Sequence, residues 1–470
     1  MDFRARDHLM TPLYPRGAVR RGGILRHMDL IPKPDQVVSA ASNVAHKMLY
    51  GGVADLRPMP RTLIDDGMLR EVYHYRPQGR VRESGDPVLL VTPLAAPALA
   101  YDLRRGCSLV EHLVSTGRRT YLVEYGEVSF ANRTLGLEHW VDEVIPAAVR
   151  EVSEHAGGRP VHVVGWSLGG IFSLLTTADQ PDLPIASLTV VGSPVDVTKV
   201  PLVAPIRPLL NLTDGGGLVT QLYRVLGGAP KPLVRRAFQL TSVDKHVTKP
   251  VAMLAQLDDT DFLAQIEAVD RFTAHMTGYP GRSFGQIYHR MIKGNQLATG
   301  VVRMDDRREI ALADIRVPVL VFAGGSDQIA PVKAIEPLVD LLPHATSVRF
   351  EVVPGGHLGM LTGRASRHTT WRVLDEFLDA HASATDVPEK PARKATTKKS
   401  AAKKSAAKKA ATKKTATTKK AAATKSAAKK PAKKPAKKTA TKASRTEPAI
   451  GSNPVRRYGS DSSRSLAARR

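Results

Sequence analysis

Residues 163–170 read Val163-Val164-Gly165-Trp166-Ser167-Leu168-Gly169-Gly170, so a β-branched run enters a G-x-S-x-G turn and an apolar helical segment leaves it. This is the context of a nucleophile elbow, in which flanking glycines let strand and helix approach closely while a serine hydroxyl projects from a strained turn. Serine is a weak nucleophile near neutral pH and needs a general base held by an orienting acid. Both types follow, in the chain order Ser, Asp, His that this strand–turn–helix arrangement uses. Asp327 comes just after the apolar run Val319-Leu320-Val321-Phe322-Ala323, and His357 just after Val352-Val353-Pro354-Gly355-Gly356. Each sits at the carboxyl end of a predicted strand, where open α/β sheets gather their ligands. The competing readings are a helix N-cap for Asp327 and a surface turn for His357. Three suitable residue types in order, each at a strand end, favour acyl transfer with Ser167 as nucleophile, His357 as base and Asp327 as orienting acid. The N–H of Leu168, which opens the helix, and that of Leu94 or Ala95 in the loop Thr92-Pro93-Leu94-Ala95-Ala96-Pro97 are the expected oxyanion donors.

Other reactive side chains carry less. Cys107 lies near a helix start that lowers a thiol pKa, but no histidine stands beside it in sequence and a buried thiol is the favoured reading. His246, His275 and His289 lack metal-ligand spacing and read as surface or pocket lining. Asp196, shortly after the strand Ser187–Gly192, reads equally as pocket lining or as a solvated turn. No cofactor and no metal site is predicted.

The elements that must position these groups alternate short β-branched runs with longer segments of helical period, the pattern of a parallel sheet covered by helices. Predicted strands are Val88–Thr92, Thr120–Glu124, Val161–Gly165, Ser187–Gly192, Val317–Ala323 and Ser347–Val353. Predicted helices are Ser108–Ser115, Leu137–His155, Leu168–Ala178, Val332–Leu342 and His368–Ala380. Between Gly192 and Val317 the connection is far too long for a crossover, and its helical patterning reads as a cap inserted at about 194–312. Residues 1–86 read as an arm with one or two edge strands around Leu69–Arg76, residues 87–385 as the catalytic domain, and 386–470 as a tail.

The chain of 470 residues carries 69 Lys and Arg against 44 Asp and Glu, and the excess is local. Residues 389–470 hold 27 Lys and Arg and 3 acids, which leaves the remainder almost balanced. Lys-Lys pairs recur there about every five residues, advancing about 140° per pair on a helix, so no groove-reading stripe forms. Low hydrophobicity, self-repulsion and interspersed prolines predict disorder. Residues 390–445 are expected to bind nucleic acid, polyphosphate or anionic lipid without sequence specificity and with steep salt dependence. A charged spacer is the alternative. One cysteine excludes an internal disulfide framework. The Arg-rich N-terminal stretch has no apolar region of signal-peptide length, and the most apolar region, Ile185–Leu212, is broken by prolines and charges. No transmembrane span is therefore expected, and a cytoplasmic location is.

The residues now carry a resemblance. From about Pro87 to Thr362 the chain resembles polyhydroxyalkanoate synthases and their α/β-hydrolase relatives. The resemblance rests on Pro93-Leu94 with Tyr101-Asp102-Leu103-Arg104 and Ser108-Leu109-Val110, on Val190-Val191-Gly192-Ser193-Pro194-Val195-Asp196, and on Lys293-Gly294-Asn295-Gln296-Leu297. Ser326-Asp327-Gln328-Ile329-Ala330-Pro331 and Gly355-Gly356-His357-Leu358-Gly359 are similar to the family's catalytic aspartate and histidine segments. This implies an α/β-hydrolase fold with a helical cap and an acyl or hydroxyacyl ester or acyl-CoA-type thioester as substrate. The synthases carry cysteine at the elbow where this chain has Ser167, and Ala95-Ala96-Pro97 replaces more polar residues. Serine forms a more stable oxyester, which ends in hydrolysis or in transfer to an alcohol. The Lys- and Ala-rich tail resembles the C-terminal segments of linker-histone-like proteins, an arrangement similar to that of proteins that tether polymer granules to the nucleoid. The rival expectation is an inactive granule- or nucleic-acid-associated structural protein.

Overall fold

The structure is a computed structural model that describes residues 51–201, 225–240 and 256–383, together with residues 36, 38–43, 45, 203 and 221. The tail at 386–470, most of the arm before residue 51 and part of the expected cap lie outside the described residues.

Eight strands form one sheet: β1 (Arg61–Gly67), β2 (Arg70–Tyr75), β3 (Ser84–Val91), β4 (Arg118–Glu124), β5 (Val161–Trp166), β6 (Ile185–Val191), β7 (Val319–Gly324) and β8 (Val348–Val353). Their spatial order is β1-β2-β4-β3-β5-β6-β7-β8. β1 and β2 form a hairpin that joins β4 antiparallel, and every later pairing is parallel. The sheet thus reaches back to Arg61, and the edge strands expected around Leu69–Arg76 are this hairpin.

Strand alternation divides the core into two faces. Leu89, Val91, Val163, Leu188, Val190, Val319 and Val321 pack with helices α2 (Ile145–His155) and α3 (Leu168–Asp179) through Val149, Val152, Phe172 and Leu175. Their chain neighbours Val88, Leu90, Val164, Val191, Leu320 and Phe322 pack on the other face, against α1 (Leu109–Ser115) and the C-terminal helix α5 (Thr370–Ala380). A period of two along each strand puts consecutive residues on opposite faces, so strands apolar at every position are covered on both sides. Ser108 caps α1 by accepting the Glu111 N–H at 3.0 Å.

Two predicted helices differ in detail. The segment expected as one helix over Leu137–His155 begins as a π-helical stretch at His139–Val144 before α2. The helix expected over Val332–Leu342 is α-helical only to Ile335 and continues as a 3-10 turn, Glu336–Val339. Pro337 supplies no N–H to an α-helical ladder, which explains the break.

Within 194–312 the described elements include a helix Lys231–Leu240, α4 (Thr260–Ala274), a short helix Gly281–Gln286 that runs into a π-helical turn Ile287–Lys293, and a hairpin pairing Val301–Arg303 with Glu309–Ala311. Leu297, Val302, Met304 and Ile310 belong to the α2/α3 face of the core. Arg308 clamps this hairpin to the domain, reaching Asp142 at 2.6 Å and Asp179 at 2.8 Å. Among the described residues, no helix is long and apolar enough to cross a membrane.

Candidate active site

β5 delivers the chain directly into the turn at Ser167, which adopts φ 55° and ψ −122°. A left-handed φ is strained for a residue with a Cβ, and such strain gathers at functional sites. The turn is held from several sides: the Ser167 N–H donates to Val191 O at 2.8 Å, and the Ser193 hydroxyl donates to Ser167 O at 2.6 Å. The flanking glycines are required by contact. A Cβ on Gly165 would meet Gly170 Cα at 2.6 Å, and one on Gly169 would meet Val91 O at 2.4 Å. The second distance also shows that the end of β3 lies against the start of α3.

The three predicted groups meet. His357 Nε2 lies 2.9 Å from Ser167 Oγ, and His357 Nδ1 lies 2.8 Å from Asp327 Oδ2. Asp327 and His357 are buried, whereas Ser167 is partly exposed. The second carboxylate oxygen of Asp327 accepts the N–H groups of Ile329 at 2.8 Å and Ala330 at 2.9 Å. The carboxylate thereby closes the turn that follows it as well as facing the imidazole; the next helix, Val332–Ile335, has Pro331 at its N-cap, so the helix N-cap reading of Asp327 does not hold. Gly192 gives the imidazole its space, because a Cβ there would stand 3.3 Å from His357 Cε1.

Leu168 is the first residue of α3, so its N–H lies among those that have no intrahelical acceptor. Leu94 and Ala95 are both buried in the loop after β3. Ala95 adopts φ 67° and its carbonyl accepts the Thr277 N–H at 2.9 Å, which ties this loop to the segment after α4. The Tyr125 hydroxyl donates to Thr92 O at 2.7 Å, and the Tyr101 hydroxyl lies 2.9 Å from Val91 O and 3.1 Å from Val164 O. Burial pushes both phenols above their ordinary pKa, so they stay protonated and able to donate. These anchors fix the loop that carries both candidates, Leu94 and Ala95, for the second expected oxyanion donor.

Trp166 is the residue that the motif reading passed over. Its Nε1 donates to His357 O at 3.1 Å, and its ring stands 5.1 Å from the imidazole, so it holds the histidine loop from the elbow itself. The variable second position of G-x-S-x-G gives no sign of such a contact in sequence. The weaker candidates resolve into structure. Asp196 accepts from Thr198 and Asn295; burial raises its pKa but these hydrogen bonds outweigh that and leave it below the ordinary value. Cys107 is buried and accepts from Arg367 Nη2 at 3.0 Å. His275 closes α4, its Nδ1 bonding Arg271 O. His289 lines a cavity described below, and His246 lies outside the described residues. No cluster of three potential metal ligands occurs among the described residues.

A serine, a histidine and an aspartate gathered at the carboxyl ends of a mostly parallel sheet define the class, an α/β enzyme scaffold of the hydrolase type. The profile of the alpha/beta hydrolase family matches residues 84–367, and the chain belongs to that family. It is 28% identical over 304 residues to the poly(3-hydroxyalkanoate) polymerase subunit PhaC of Allochromatium vinosum, spanning 64% of this chain and 82% of that one. It is 24% identical over 319 residues to the PhaC subunit of Haloferax mediterranei, spanning 65% of this chain and 61% of that one. A thermophilic esterase structure from Thermogutta terrifontis aligns with TM-score 0.39 at 14% identity, over 69% of this chain and all of that one (100%).

Proposed function

We propose that this protein is a serine acyl-transfer enzyme of polyhydroxyalkanoate-synthase type, acting on an acyl or hydroxyacyl ester or thioester through Ser167, His357 and Asp327. The observation that carries this reading is the unbroken relay from Ser167 Oγ to His357 at 2.9 Å and from His357 to Asp327 at 2.8 Å. An idle scaffold has no physical need for all three groups in contact, so the structural-protein alternative gains no support.

In this mechanism Asp327 holds the Nδ1 proton of His357, leaving Nε2 to take the proton of Ser167 as its oxygen attacks the carbonyl. The N–H of Leu168 and one from Leu94 or Ala95 receive the developing oxyanion, with the N-terminus of α3 adding its dipole. Collapse of the tetrahedral intermediate expels the alcohol or thiol, protonated by His357, and leaves an acyl-serine. Water or an acceptor hydroxyl, deprotonated by the same histidine, then releases the acyl group. An oxyester at Ser167 exchanges with thiols less readily than a thioester, which favours hydrolysis or transfer to hydroxyl acceptors over thiol exchange.

The basic segment 390–445 accompanies this reading as a sequence-independent polyanion tether, and a cytoplasmic, granule- or nucleoid-associated location goes with it. Retardation of DNA by the full chain at low salt, abolished at high salt, is the expected behaviour. For the active site, the full chain is treated with a fluorophosphonate and its intact mass measured beside that of Ser167→Ala. One adduct on wild type and none on the variant is expected, together with loss of ester and acyl-CoA turnover. Turnover retained by Ser167→Ala removes the assignment.

A further inference from the structure

A cavity of about 630 Å³ lies away from the triad residues, walled by Arg133 and by the helical segment that carries Arg282, Gln286, His289 and Arg290. Its volume falls in the range of small-molecule sites. Close backbone packing builds its wall: a Cβ on Gly281 would stand 3.1 Å from Gly227 O and 3.2 Å from Arg133 O.

The lining is cationic beyond local compensation. Arg282 pairs with Glu138, which also accepts from Gln286 Nε2 at 3.0 Å. Arg133 spends one nitrogen on Phe130 O at 3.2 Å and lies over the Phe130 ring, with no carboxylate partner among the described residues. Arg290 donates from Nη2 to Met304 O at 2.6 Å, while its Nη1 is buried without a hydrogen-bond partner among the described residues. Native proteins pair nearly all such atoms, so the Arg290 guanidinium, beneath the cavity wall, is left short of hydrogen bonds. Burial, reinforced by Arg282 and opposed by Glu138 and Asp305, holds the Arg290 pKa below its ordinary value.

We propose that this cavity binds a phosphate- or diphosphate-bearing ligand through Arg133, Arg282 and Arg290. Three arginines from two segments, with Glu138 paired to one of them, leave the cavity wall with excess positive charge, which suits a group with several anionic oxygens better than a single carboxylate. The phosphate belongs either to a phosphorylated acyl donor or to a free nucleotide or inorganic diphosphate. Phosphate binding at this cavity stands or falls separately from the acyl-transfer reading, and only its assignment to an acyl donor rests on that reading.

The test is calorimetric titration of the full chain with pyrophosphate, ADP, coenzyme A and unphosphorylated pantetheine at about 0.3 M salt, where binding to the basic tail is strongly weakened. The wild type, Arg133→Gln and Arg290→Met are compared. Saturable one-to-one binding of at least one phosphate probe, none of pantetheine, and weakening of about tenfold or more in each variant are expected. Arg133 is exposed, so Arg133→Gln keeps its melting temperature and decides the matter should Arg290→Met, which loses its anchor to Met304, fail to fold. Coenzyme A binding about tenfold tighter than ADP assigns the site to an acyl donor; equal affinities assign it to free nucleotide or diphosphate. Absence of saturable binding, or equal affinity of Arg133→Gln and wild type, overturns the proposal. Fluorophosphonate labelling of Ser167 is unchanged in Arg133→Gln in either case.

Discussion

Replacing Asp327 by asparagine changes one atom of the site, and the hydrogen bonds around it dictate the result. One carboxylate oxygen accepts both the Ile329 and Ala330 N–H groups, at 2.8 and 2.9 Å, and the other faces His357 Nδ1 at 2.8 Å. An asparagine must keep its carbonyl toward the two backbone donors, because its amide would meet them donor to donor. The amide then faces His357 and forces Nδ1 to become an acceptor, placing the imidazole proton on Nε2 against Ser167. A base already protonated toward its nucleophile no longer removes the serine proton, and loss of the correct tautomer in such a relay costs about 10⁴-fold in kcat, about 5 kcal/mol of barrier. The fold is nearly untouched, since both backbone bonds survive. Asp327→Ala, by contrast, also strips the buried Ala330 N–H and the part-buried Ile329 N–H of their acceptor, and destabilises by about 1–3 kcal/mol for the buried one. The assay is the rate of fluorophosphonate labelling and of chromogenic ester turnover, with thermal melts alongside. Asp327→Asn turning over within about tenfold of wild type, at an unchanged melting temperature, refutes the orienting role.

Three further outcomes are expected. Trp166→Phe deletes the Nε1 bond to His357 O and keeps the ring, so kcat falls by about tenfold with KM little changed, and steady-state kinetics on one ester separates the two. Gly169→Ala drives a Cβ onto Val91 O and Thr92 O, and since both are backbone atoms the variant loses labelling at Ser167 and melts earlier; a wild-type melting curve contradicts the close approach. His162 lies buried between β3 and β6 near Asp86, Arg118, Asp379 and His381, and burial outweighs the attraction of Asp86 to lower its pKa to about 4. Against an unfolded value near 6.5 the unfolded chain binds the extra proton first, so stability falls as pH drops below about 6.5, by about 2 kcal/mol at pH 5. Urea melts at pH 7.5 and 5 read this increment, which is absent from His162→Gln.

The core strands, and the strand ends at which Ser167, Asp327 and His357 meet, were legible in the chain because each has a local cause. A buried parallel strand is a β-branched run whose both faces are apolar, as at Val161–Trp166 and Val319–Gly324. The elbow needs glycine on each side of Ser167 because two backbones touch there. Asp327 and His357 each follow such a strand within a few residues, so locating the strand located the group.

What local pattern does not encode is which distant atoms share a site. The Trp166 bond to the His357 carbonyl spans 191 positions of chain, and the Tyr125 bond to Thr92 spans 33. The break of the helix at Pro337 had a visible local cause, whereas the π-helical entry to α2 had none that periodicity reveals. His289 reads alone as either surface or pocket lining; only the packing of its helical segment beside Arg133 and Gly227 makes it part of the wall of one cavity. Periodicity and turn chemistry are properties of neighbours along the chain and are written there. Convergence of side chains from separate segments depends on how the sheet stacks its strands, β3 beside β5 and β6 beside β7, and that order is set by the burial of both faces at once.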